Sequence, residues 1–116
     1  DKSIDGLLVL RPEGRLFFVN AQSVGDQIRA LVAQHQPKVV VLDMSRVPDI
    51  EYSALQMLIE GERQSTVGQA GFWLAGLNPG VLEVVKHAGL AERLGRERMF
   101  FNARSAIEHY LSIQKK

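Results

Sequence analysis

The sequence predicts an α/β domain: a mixed, mostly parallel sheet of four to five strands, with an N-terminal hairpin and about four helices. Three observations predict it. Val39-Val40-Val41-Leu42 is an unbroken apolar run, the pattern of a strand covered on both faces. Short apolar strands alternate with helical-period segments, which implies parallel strands joined by right-handed crossovers. Two cap signals, Ser53 with Gln56 and Asn78 with Pro79, open helices soon after strands.

In chain order, Gly6 to Leu10 reads as a first strand, Arg11 to Gly14 as a turn and Arg15 to Val19 as a second strand. Together they make the predicted hairpin. Asn20 is placed as the cap of a helix whose Val24, Ile28, Leu31 and Val32 recur at helical spacing, and Pro37 prevents its continuation. The central strand Val39–Leu42 follows and ends at Asp43. After a loop marked by Ser45, Pro48 and Asp49, Ser53 is expected to cap the next helix, with Tyr52 and Met57 closing a hydrophobic staple. That helix buries Leu55, Leu58 and Ile59. Gly68 to Gly71 separate it from the strand Phe72–Ala75. Asn78 and Pro79 start a helix carrying Leu82 and Val85 inward, which stops near Gly89. Leu90 to Leu94 lead to a last strand around Met99-Phe100-Phe101. Asn102 caps a final helix with Ala106, Ile107, Tyr110 and Leu111 on its buried face.

With 116 residues, the chain is expected to be one domain, residues 1–116, large enough for a real core. A formal charge of +1 gives no global field for nucleic acid. Residues 86–116 hold seven Lys/Arg against three Asp/Glu, and residues 1–85 seven against ten. A solvated helical face accounts for the basic third better than an acidic lipid or partner does. There is no cysteine, which removes disulfides, thiol catalysis and thiolate metal sites. No apolar run approaches the ~20 residues of a membrane span.

The candidate site is the loop leaving the central strand and entering a helix, Asp49, Glu51, Tyr52, Ser53 and Ala54, together with the second helix start at Asn78 and Gly80. A loop at the carboxyl end of a central strand is a natural ligand or partner position in such folds. Backbone N–H groups there favour anions, and Ser53 is either a phosphate acceptor or only a cap. Asp49 and Glu51 oppose tight phosphate binding. His35, His87 and His109 are too scattered for a metal site, and no phosphate loop or GxSxG occurs. No nucleophile, acid and base combine, so no catalytic residue is assigned.

The chain resembles a STAS domain, the fold of anti-sigma factor antagonists and of the cytoplasmic C-termini of SulP-type (sulfate permease) anion transporters. The resemblance rests on Phe17-Phe18-Val19-Asn20-Ala21, Val39 to Ser45, Val47 to Leu55, and Gly89-Leu90-Ala91. In the antagonists the helix-opening loop has an acid, two hydroxyl residues and a glycine, and a serine there is phosphorylated. Glu51, Tyr52, Ser53 and Ala54 stand at those positions; the bulky Tyr and the Ala depart from the switch pattern and look more like the transporter branch. The resemblance implies a non-catalytic regulatory or interaction domain at the cytoplasmic face of the membrane, cut from a longer transporter of sulfate or bicarbonate. Expected partners are the transporter's own membrane domain, a second STAS domain or a cytosolic regulatory protein, and not nucleic acid. No cofactor is expected beyond weak GTP or ATP binding. The alternative it leaves open is a free-standing antagonist switched by phosphorylation of Ser53.

Overall fold

The elements run β1 (Leu7–Leu10), α1 (Phe18–His35), β2 (Val39–Asp43), α2 (Tyr52–Val67), β3 (Gly71–Ala75), α3 (Pro79–His87), α4 (Leu90–Leu94), β4 (Met99–Phe100) and α5 (Ala103–Gln114). They come from a computed structural model that describes residues 4–67, 71–95 and 98–114. The four strands lie in the order β1-β2-β3-β4, each parallel to its neighbour. β2 and β3 are therefore interior. All five residues of β2 are buried, as its unbroken apolar run requires.

Alternation along the strands sorts the core into two layers. Val40, Leu42, Phe72 and Leu74 point to one face, where Ala21, Leu55, Leu58, Val81, Val85, Leu90 and Leu94 cover them. Leu7, Val39, Val41, Trp73 and Ala75 point to the other, closed by Ala106 and Tyr110 of α5. Placing α1 to α4 together on one face is what right-handed crossovers demand of a sheet that grows in one direction. The starts of α2 and α3 consequently share a side, as expected from the two cap signals.

The hairpin is not formed. Of Arg15 to Val19 only Leu16 makes a bridge, and it is parallel, to Ile50. α1 already begins at Phe18. Among the described residues every strand pair of the sheet is parallel, so the opening antiparallel strand is replaced by an irregular segment, residues 11–17. Its backbone bonds go to the loop after β2: Gly14 N–H to Arg46 O at 2.9 Å, Leu16 N–H to Asp49 O at 3.0 Å, and Glu51 N–H to Leu16 O at 2.9 Å. Leu16 itself is buried in the helical-face core. Asn20 is inside α1 rather than its cap. Its side chain reaches back to accept the Phe17 N–H at 2.7 Å and donates to Arg15 O at 2.7 Å, the carboxyl-side half of a capping box.

Other elements follow the cap chemistry. Asn78 accepts the Val81 N–H at 2.8 Å with Pro79 in the first helical turn. Asn102 accepts the Ser105 N–H at 2.8 Å at the start of α5. α1 ends where Gln36 takes a left-handed conformation and donates to Val32 O. Leu90–Leu94 is a short helix. Val81 takes the inward position expected of Leu82, which is half-buried, and Leu111 of α5 is exposed. The expected break at residues 68–70 lies outside the described residues.

Candidate functional site

α2 begins two residues earlier than the cap reading. Its first backbone turn closes with Leu55 N–H donating to Glu51 O at 3.0 Å, and Tyr52 is its first residue. Ser53 is thus the second helical residue and not the N-cap. The hydrophobic staple moves with the frame. Ile50 before the cap and Leu55 in the first turn are both buried in the same cluster. Tyr52, released from the expected pairing with Met57, is 61% exposed. The two-residue shift turns an aromatic side chain outward at the mouth of the loop.

The surface around α2's start is built by three segments at the carboxyl ends of β1, β2 and β3. Asp49 and Glu51 both face Arg15, whose Nε lies 2.9 Å from Asp49 Oδ2 and whose Nη2 lies 3.8 Å from Glu51 Oε2. The two acids are therefore held in part by a guanidinium that spacing alone did not reveal. Asn78 joins the second helix start to this loop by donating to Pro48 O at 3.1 Å and Val47 O at 3.5 Å. Ser53 is exposed on the first turn, and Gly80 is exposed at the start of α3. Ala54 is fully buried, so its side chain is core and lines no open surface.

Beneath the loop, Asp43 is a buried carboxylate with 2% of its surface exposed. It accepts the Arg11 Nε–H at 3.0 Å and the Ser45 N–H at 3.0 Å. Gly76, with φ +73°, passes so close that a Cβ built on it would lie 2.9 Å from Asp43 Oδ1. Glycine is used there because the backbone is left-handed and the space is taken. The fourth long-range pair, Arg46 Nη1 with Glu13 Oε2 at 3.3 Å, lies outside on the surface.

The structure thus gathers Asp49, Glu51, Tyr52, Ser53, Asn78 and Gly80 at one end of the sheet. It adds Arg11, Arg15 and Arg46, which sequence reasoning missed. Their partners lie 32 to 36 residues away, so no local pattern announces them. Among the described residues no three His, Asp or Glu gather as a metal site needs. No described helix is long and apolar enough to cross a membrane. The arrangement is a surface with an exposed aromatic, an exposed hydroxyl and paired charges.

Comparison with known proteins sets this surface in a family context. A family model described as STAS domain matches residues 1–106. Sulfate transporter 3.2 of Arabidopsis thaliana is 27% identical over an alignment 113 residues long, which covers 87% of this chain and 17% of that transporter. The chain spans less than a fifth of the length of the curated relatives it matches. The crystal structure of a sulfate transporter family protein from Wolinella succinogenes superposes with a TM-score of 0.84 at 23% identity, covering 100% of this chain and 93% of that one. The anti-sigma factor antagonist SpoIIAA in its unphosphorylated form gives 0.79 at 16% identity, covering 97% and 94%. At these identities the likeness to the solved structures carries the fold alone.

Proposed function

Since the chain belongs to the STAS domain family, we propose that it is a non-catalytic regulatory and interaction domain of a SulP-type transporter of sulfate or bicarbonate. One observation carries this reading. The curated relatives aligned along most of the chain are sulfate transporters several times its length. On this reading the domain sits at the cytoplasmic face of the membrane. Its partners are the membrane domain of the same protein, a second STAS domain or a cytosolic regulator. Tyr52 is the natural anchor, because an exposed aromatic buries much area while its hydroxyl stays wet. A weak response to GTP or ATP belongs to the same proposal. The candidate donors are the backbone N–H groups at Ser53–Ala54 and Gly80, with Asp49 and Glu51 limiting affinity.

The test is anion uptake by the full-length Tyr52→Ala variant at matched membrane abundance, beside the melting temperature of the isolated domain. The expected result is impaired uptake with an unchanged melting temperature. Normal uptake removes Tyr52 from the partner face, and normal uptake after deleting the whole domain removes the regulatory reading. A second reading, a free-standing antagonist, is favoured by the exposure of Ser53 on the first turn of α2. Phosphate found on Ser53 in cells, in a protein without membrane spans, would select it.

A further inference from the structure

Residues 11–17 are neither strand nor helix, yet alternate side chains of this segment each reach across to the end of β2 or the loop after it. Arg11 holds Asp43, Glu13 holds Arg46, and Arg15 holds Asp49 and Glu51. Three backbone hydrogen bonds run between the same two segments, and Leu16, 1% exposed, pins the carboxyl end. Apart from buried Asp43, the charged groups are about half exposed or more. Exposed pairs of this kind are weak singly and are screened by salt, but here they act on one short stretch in series. The last backbone bond of the series belongs to Glu51, the residue immediately before Tyr52.

We propose that residues 11–17 are an ion-paired strap that holds the α2-opening loop closed and loosens as salt screens its pairs. Opening frees the Leu16 and Glu51 amides and changes how Tyr52 and Ser53 are presented, while the sheet beneath stays intact. What the strap would regulate rests on the reading of that face as a partner surface; whether it opens does not.

Amide hydrogen exchange of the 116-residue chain tests it. Between about 20 mM and about 0.5 M sodium chloride, which shortens the screening length several-fold, protection of the Leu16 and Glu51 amides should fall roughly threefold to tenfold. Protection of Val40, Val41 and Leu42 should hold. Arg15→Gln at low salt should show much of that loss and a smaller response to salt, the Glu13–Arg46 pair remaining. The charge-exchanged double variant Arg15→Glu, Asp49→Arg should regain much of the protection, which a purely steric role for Arg15 would not allow. Salt-independent protection in the unaltered chain overturns the proposal, as does Arg15→Gln that keeps both protection and salt response. If Arg15→Gln lowers protection in β2 as well, the salt series on the unaltered chain decides alone.

Discussion

Asp43 is the residue where the end of the sheet is most tightly specified. Its carboxylate is buried, and its two oxygens are taken by the Arg11 guanidinium and the Ser45 N–H. A buried charge is tolerable only with such partners. Gly76 then closes a third side by backbone alone. Gly76→Ala should therefore cost about 1–3 kcal/mol, from left-handed backbone strain and from the contact with Asp43. Urea unfolding measures it, and an unchanged midpoint would show that the loop moves away freely. The run Val39–Leu42 announced its own burial, but Asp43 read merely as the end of the strand. Its partners come from Arg11 and Ser45, one of them 32 residues distant, and local composition says nothing of them.

At the scale of elements, two helix starts that look alike in sequence behave differently. Asn78 caps α3 with a 2.8 Å bond and also spans to the carbonyls of Val47 and Pro48. Ser53 lies inside the first turn of α2 and caps nothing. Asn78→Ala should cost about 1–2 kcal/mol, whereas Ser53→Ala should stay within about 0.5 kcal/mol of the unaltered chain. Parallel denaturation curves compare them directly, and equal losses would restore Ser53 to the cap. Asn78 with Pro79 and Asn102 were legible because cap chemistry is local and each follows a strand closely. α2 was not, because Glu51 is drawn into the bridge with Leu16, which starts the helix two residues early. The same bridge explains the missing hairpin. Arg15 to Val19 has strand-like composition, but its pairing partner is a loop 34 residues on, and only one residue pairs. The loop between β2 and α2 was therefore legible with its helix frame shifted, and the three arginines beside it went unread.

Over the whole molecule, α5 is the sole described helix on its face of the sheet, and it is tied down by Tyr110. The ring packs edge-on to Trp73, and the hydroxyl donates to Asp5 O at 2.8 Å. Burial, followed by the negative charge of Asp5, raises the phenol above its ordinary value of 10.0. The folded chain then holds this proton more tightly than the unfolded chain, so the contribution is fully present below about pH 10 and is lost as pH rises through the folded value. Stability should decline in that alkaline window. Tyr110→Phe should remove this part of the decline while costing about 1 kcal/mol at neutral pH for the lost hydrogen bond. Chemical denaturation at pH 7 to 11 reads both, and identical alkaline slopes in the two proteins would dismiss Tyr110 as the titrating group.

The bond from Tyr110 to Asp5 joins positions 105 residues apart. It brings the start of β1 and the last turns of α5 to one pole, while Tyr52 and Ser53 stand at the other, beyond the carboxyl ends of the strands. With Asp5 and Tyr110 held at one pole, the two can be bridged by a short linker and the chain reopened at a surface loop near the opposite pole without redirecting any strand.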